Sequence, residues 1–225
     1  MLSCEKFYKI IMCNQPSYKI WNKRFQANVH NKSVLLDDLW MDCWKQDILR
    51  TENKSALDLG CGCGLDSLYL SNLGFKVTSV DFSQEALDIC QKNVPEAELV
   101  LHDISQRFPF KNSQFGIISA NLSLHYFNEQ TTHQIISDIY RCLDEHGTLM
   151  ICLNSTKDIH YGAVGEAEIE PNYYLSRGLP KRFFDRPSID YFFDRHWSII
   201  QSEETTTHKY GNPKVRWEIM LKKKK

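Results

Sequence analysis

Hydrophobic positions along this chain change period repeatedly, and each change marks an element. Ser55–Leu59 is a short apolar run ending at glycine, the pattern of a buried strand. Leu65, Leu68, Tyr69 and Leu73 then recur at helical spacing until Gly74 stops the helix. Lys76–Val80 predicts the next strand, and Ser83 can cap a helix running through Asn93, with Gln84 and Glu85 in its first turn. Glu98–His102 and Phe115–Ala120 predict two further strands. Between Asn128 and Leu143, Ile135, Ile136, Ile139, Tyr140 and Leu143 form a helical apolar stripe; Gly147 reads as the end of that element and Thr148–Leu153 as another strand. Strands alternating with helices in this way predict an α/β fold, a mostly parallel sheet with helices on both faces.

Two segments lie outside the alternation. Residues 1–50 hold an amphipathic helix, about Val34–Arg50, with Leu35, Leu36, Leu39, Trp40 and Trp44 on its apolar side and Ser33 as its cap. Residues 154–196 are rich in Asn, Tyr, Gly, Pro and Arg and read as a long loop plus a short helix. Trp197–Glu204 and Val215–Leu221 return to strands and bring the predicted sheet to seven. The expected organisation is one domain over residues 1–225: an N-terminal helical cap (1–50), a core (51–153), an inserted lid (154–196) and terminal strands (197–225).

Composition narrows the class without choosing a function. Apolar residues make up 42% and charged residues 24% of the 225, near the globular average, which excludes disordered and fibrous readings. The net charge is −1, but the last four residues are lysines; without them 23 basic residues face 28 acidic ones. A mildly acidic body with a short basic tail does not suit a surface built for nucleic acid. The eight cysteines include no Cys-x-x-Cys pair, and Cys61 and Cys63 have no second Cys/His pair to complete four zinc ligands, so no metal is expected. Free thiols in a reducing compartment fit better. The apolar run Ile10–Cys13 is too short for a signal-peptide core, and no stretch approaches the ~20 residues of a membrane span. The expectation is a soluble, cytoplasmic protein; oligomeric state is open.

In an open parallel sheet, ligands bind at the carboxyl ends of the strands, where strand order reverses. The first strand leads into Asp58-Leu59-Gly60-Cys61-Gly62-Cys63-Gly64-Leu65. Glycines there let the backbone approach a ligand, and the next helix offers free N–H groups. The second strand ends at Asp81, placed to accept both hydroxyls of a ribose. A dinucleotide fingerprint would need glycine at position 65 and finds Leu65, and no Gly-Lys-Ser/Thr follows for a Walker-type loop. The acidic Asp58 inside the strand suits a cationic ligand such as S-adenosylmethionine better than a pyrophosphate.

Taken together, these residues resemble the class I S-adenosylmethionine-dependent methyltransferases, whose fold is Rossmann-like, and among them the small-molecule members of tellurite-resistance-like and thiopurine-like type. Asp58 to Gly64 is similar to the motif that holds the methionine part of the cofactor. Val80-Asp81-Phe82-Ser83 is similar to the ribose motif, and Leu101-His102-Asp103-Ile104 to the adenine motif, in which Asp103 accepts from the exocyclic amine and Ile104 packs the ring. Phe115 to Tyr126 resembles the strand leading to the reactive centre. From position 121 the chain reads Asn-Leu-Ser-Leu, not the Asn/Asp-Pro-Pro-Tyr/Phe of enzymes that methylate base or glutamine amino groups. The resemblance implies S-adenosylmethionine as cofactor, held by Asp58, Gly60, Cys61, Gly62, Asp81, Phe82, Ser83, Asp103, Ile104, Asn121 and Leu122, with Tyr18, Trp21 and Arg24 either closing over it, as N-terminal helices do in similar small-molecule enzymes, or forming a plain hydrophobic cap.

His125 and Tyr126 follow the fourth strand and are the candidate catalytic pair, His125 as a base or as a structural hydrogen-bonder. Tyr161, Tyr173 and Arg182 are the candidate substrate residues of the lid, which could equally be a solvated insertion packing the sheet edge. The leading expectation is methyl transfer to a small molecule. Competing readings are a protein or RNA methyltransferase, an NAD-dependent oxidoreductase and a non-catalytic cofactor sensor.

Overall fold

A computed structural model describes Trp21 and residues 39–164, 167–176 and 178–224. Seven strands form one sheet in the order β3-β2-β1-β4-β5-β10-β9, with β1 Ser55–Leu59, β2 Lys76–Asp81, β3 Glu98–Leu101, β4 Phe115–Asn121, β5 Leu143–Asn154, β9 Trp197–Thr207 and β10 Lys214–Lys223. β1, β2, β3, β4 and β5 pair in parallel, and β10 runs antiparallel to both β5 and β9. The α/β sheet with its antiparallel terminal strand is therefore as expected. Strand order reverses between β1 and β4, which leaves a crevice at their carboxyl ends.

Alternation along the central strands divides the core in two. Leu57, Ile118, Leu149 and Ile151 face one side, where they meet Ile135, Ile136 and Ile139 of α4 (Glu129–Cys142) and Ile189 and Phe192 of α5 (Arg186–Phe192). Ala56, Ile117 and Met150 face the other side, against Ile48 of α1 (Lys45–Arg50), Leu70 of α2 (Leu65–Asn72) and Leu87 and Cys90 of α3 (Gln84–Asn93). Helix starts follow local chemistry: Ser83 Oγ accepts from the Ala86 N–H (3.2 Å) and Asn128 Oδ1 from that of Thr131 (2.9 Å). Among the described residues no helix is long and apolar enough to cross a membrane.

Three expectations need correction. The described part of the Val34–Arg50 helix is a turn at Trp40–Met41, a 3-10 turn over Asp42–Trp44, and α1; Trp40 and Trp44 are buried but Leu39 is exposed. Residues 34–38 lie outside the described residues. Gly147 does not end a helix: α4 stops at Cys142, where Leu143 turns extended (ψ 138°), and Gly147 lies inside β5. Gly147 is close-packed, since a Cβ there would meet Leu143 Cδ1 at 2.7 Å.

The third correction is the largest. Residues 154–196 are not mainly loop but carry a three-stranded antiparallel sheet, β6 Ala167–Glu170, β7 Tyr173–Ser176 and β8 Leu179–Arg182, followed by α5. Its turns contain Pro171-Asn172, with Asn172 at φ 59°, and Gly178, at φ 78°. Those are hairpin signals at even spacing, overlooked because the charged and aromatic residues between them read as loop.

Candidate active site

The glycine turn is shaped by contacts as well as by conformation. Gly60, Gly62 and Gly64 all have positive φ (72°, 53° and 86°), and the Gly60 and Cys61 N–H groups both donate to Val80 O, which ties the turn to β2. A Cβ on Gly60 would lie 2.5 Å from Ser123 Cβ. The turn after β1 and the segment after β4 therefore touch across the crevice.

Asp81 links the first two predicted motifs. Its Oδ2 accepts from the Gly62 N–H (3.0 Å) and its Oδ1 from that of Ser83 (2.9 Å), so the carboxylate is oriented by backbone on both sides. Burial pushes its carboxyl above the usual carboxylate range, against those N–H groups. Phe82 is half-buried between them. Asp103 lies in the turn after β3 and accepts from the Ser105 N–H (2.9 Å), and Ile104 is buried in the α4-side core.

Asp58 departs from the simplest expectation that it faces the ligand. It is fully buried, and its carboxylate accepts from Ser67 Oγ (2.6 Å) and Ser119 Oγ (3.2 Å), stitching β1 to α2 and β4. Burial first, and then the charge of Asp66, push its carboxyl well above the usual range. Cys61 is buried, its thiol donating to Gly62 O (3.7 Å), and the neighbouring Cys90 thiol first, then burial, push it well above the usual thiol range.

Across the crevice, β4 ends in a run of polar groups with unmet demands. Among the described residues, Asn121 Oδ1, Ser123 Oγ and His125 Nδ1 are buried and have no hydrogen-bond partner. Leu122 between the first two adopts φ 53°, a left-handed conformation that costs a bulky residue about 1–2 kcal/mol. His125 is buried at 3% exposure, and burial, then the Lys214 and Lys181 ammonium groups, hold its imidazole well below the usual histidine range. Its ring lies 4.0 Å from that of Tyr126, and the Tyr126 ring meets Trp21 edge-on at 5.7 Å. Trp21 is thus brought to the reactive end of β4; Tyr18 and Arg24 lie outside the described residues.

The small sheet supplies a wall to this turn. Tyr173 Oη donates to Tyr126 O (3.1 Å). The buried Arg182 guanidinium pairs with Glu170, donates to Phe127 O (3.4 Å) and Pro171 O (3.3 Å), and stacks over Tyr173 and Phe192. Glu170 also accepts from the Glu129 N–H at the start of α4 (2.8 Å). Tyr161 is directed elsewhere, its hydroxyl donating to Tyr210 O (2.8 Å) in the β9–β10 connection. The three residues expected to bind substrate are therefore engaged by the protein itself.

Two further residues at the site, Asp66 and Lys214, are not marked as site residues by the sequence patterns. Asp66 accepts from Trp40 Nε1 (3.0 and 3.2 Å to its two oxygens) and from Asn121 Nδ2 (3.4 Å). Lys214 is buried and donates to Asn154 Oδ1 (2.7 Å) and Asp158 Oδ2 (2.9 Å). An acidic residue in the first turn after a glycine loop was a usable signal for Asp66; nothing local marks Lys214.

Comparison with known proteins agrees with this geometry. Residues 56–147, from β1 into β5, match the family described as methyltransferase domain. Over these residues the chain is similar to S-adenosylmethionine-dependent methyltransferases. An uncharacterized methyltransferase of Synechocystis is 29% identical over 102 residues, 45% of this chain and 48% of that protein. A probable S-adenosyl-L-methionine-dependent methyltransferase TehB of Haemophilus influenzae is 31% identical over 108 residues (46% of this chain, 37% of that protein). The mouse 18S rRNA (guanine-N(7))-methyltransferase is 39% identical over 64 residues (28% and 23%). The match spans about half or less of the length of these curated relatives. In fold, the Burkholderia thailandensis 1,6-didemethyltoxoflavin-N1-methyltransferase, solved with S-adenosylhomocysteine, superposes over 100% of this chain and 92% of its own with a TM-score of 0.66 at 16% identity. The family match thus takes in the glycine turn and the sheet from β1 to the start of β5, while β6 to β10 lie beyond the matched residues.

Proposed function

We propose that this chain transfers a methyl group from S-adenosylmethionine to a small-molecule acceptor in the crevice between the glycine turn and the end of β4. The observation that carries this reading is the group of unpartnered buried polar atoms, Asn121 Oδ1, Ser123 Oγ and His125 Nδ1, set against a turn that tolerates no Cβ at Gly60. Buried polar atoms left without partners cost about 1–3 kcal/mol each, a cost a bound ligand can offset. The residues fit the group: an oriented Asp81 for the ribose, Asp103 and Ile104 for the adenine, and Gly60, Cys61 and Gly62 as backbone along the methionyl part. Phe82 and Ser83 hold Asp81 in place, and Leu122 carries the strained step beside Asn121.

When bound, S-adenosylmethionine supplies an electrophilic methyl group on a sulfonium centre. The chain's part is to bring the acceptor within about 3–3.5 Å and exclude water. His125, held neutral, can take the proton that an O–H, N–H or S–H acceptor must lose. Tyr126, with Trp21 against it, walls the acceptor side. Tyr161, Tyr173 and Arg182 act by shaping that side through their contacts within the lid. His125→Ala is expected to lower turnover by about 10²–10⁴-fold with S-adenosylhomocysteine affinity intact; unchanged turnover refutes the base. Calorimetry with S-adenosylhomocysteine and with NAD separates methyl transfer from hydride transfer directly.

A second reading, RNA methylation, is favoured by the similarity to the mouse 18S rRNA enzyme. It is opposed by the acidic body. Tight, salt-sensitive RNA binding would make it the better one.

A further inference from the structure

Asp66, in the first turn of α2, is 5% exposed and takes no part in the matched motif chemistry, yet it stands at the floor of the crevice. Ser119 of β4 pairs with Asp58 of β1, so Asn121 lies two residues further, past the point where Gly60 turns β1 away. A carboxylate only accepts hydrogen bonds. The Asn121 amide must therefore turn its nitrogen toward Asp66, as it does at 3.4 Å, and its oxygen away. That oxygen is the buried Asn121 Oδ1, which has no partner among the described residues. Trp40 Nε1 donates to both oxygens of the same carboxylate and so anchors it.

An acceptor-only oxygen on an amide already bonded to the buried Asp66 carboxylate calls for a donor, and a cationic donor most of all. Of the parts of S-adenosylmethionine, its α-ammonium answers that description. We infer that Asp66 is a positioning residue: anchored by Trp40, it fixes the Asn121 amide so that Oδ1 is presented to the ammonium of the cofactor's methionyl tail. This inference rests on the cofactor reading above. It ties the start of the described N-terminal segment to cofactor recognition through one indole N–H.

The test compares two ligands that differ in the tail. S-adenosylhomocysteine carries the ammonium; 5′-methylthioadenosine keeps the adenine, ribose and sulfur but lacks it. In Asp66→Asn the new amide can donate to Asn121, which lets the Asn121 amide reverse and withdraw its oxygen. Calorimetry is expected to show S-adenosylhomocysteine binding weakened by about 10–100-fold, the range for a hydrogen bond to a charged group, with 5′-methylthioadenosine changed by less than about twofold. Trp40→Phe keeps the ring packing but removes the anchor, and is expected to give a smaller loss with the same selectivity; it serves if Asp66→Asn does not fold. Equal weakening of both ligands, or no weakening of either, overturns the positioning role and leaves the cofactor reading standing. A wild-type protein that binds neither ligand overturns both.

Discussion

Gly60 is the residue on which the crevice depends most directly. Its φ of 72° costs an L-residue about 1–2 kcal/mol, and a Cβ would strike Ser123 Cβ at 2.5 Å. Gly74 has a similar φ of 85° but open space around it. Gly60→Ala is therefore expected to lower Tm more than Gly74→Ala and, unlike it, to abolish S-adenosylhomocysteine binding in calorimetry. His125 carries a pH signature. Its folded pKa lies below the unfolded value of about 6.5, so unfolded chains take up a proton first as pH falls. The stability it contributes is complete above about pH 6.5 and lost on acidification, by up to about 1.4 kcal/mol per unit. Urea melts at about pH 7 and 5.5 are expected to show a larger acid loss for the wild type than for His125→Asn.

At the scale of elements, the β6–β8 sheet is latched to the β4–α4 connection through Glu170 and Arg182. Glu170 joins Arg182 to the first N–H of α4, and Arg182 holds Phe127 O two residues past His125. Arg182→Ala removes the charge partner of Glu170, which keeps only the Glu129 N–H, and is expected to destabilise by about 3 kcal/mol, read as a lower Tm. Apart from Asn121 at the end of β4, the cofactor loops belong to β1, β2 and β3, so its S-adenosylhomocysteine affinity should stay near the wild-type value while acceptor KM rises. An equal loss of cofactor affinity would show that the latch supports the whole crevice. Most of the parallel sheet was legible because apolar runs and helical stripes alternate with little ambiguity. The small sheet was not, since its four-residue strands carry polar and aromatic residues whose burial is set by the neighbouring turn.

The whole molecule joins its far end to the reactive turn through Lys214. β10 inserts between β5 and β9, and Lys214 at its start reaches Asn154 and Asp158 near the end of β5. Removing it leaves Asp158, 0% exposed, with the Val215 N–H (3.2 Å). Lys214→Ala is expected to cost about 3–5 kcal/mol in a urea melt, because it strands a buried carboxylate. It should also raise the His125 pKa, since one of the two ammonium groups that depress it is gone. A histidine titration by NMR measures that shift, and a downward movement would contradict the assigned electrostatics.

What the sequence determined by itself was periodic or local: the strand–helix order, the glycine turn, the Ser83 cap, and the positions of Asp81, Asp103 and His125. Each depends on residues within one or two turns of chain, where spacing alone carries the physics. The tertiary structure decided what those groups face. Asp58 proved to be an internal tie to Ser67 and Ser119, and Tyr161, Tyr173 and Arg182 proved to be engaged within the protein. Asp66 met Trp40, 26 residues away, and Asn121, 55 away. Such pairings follow from strand order and register, which bring together side chains that no local period relates.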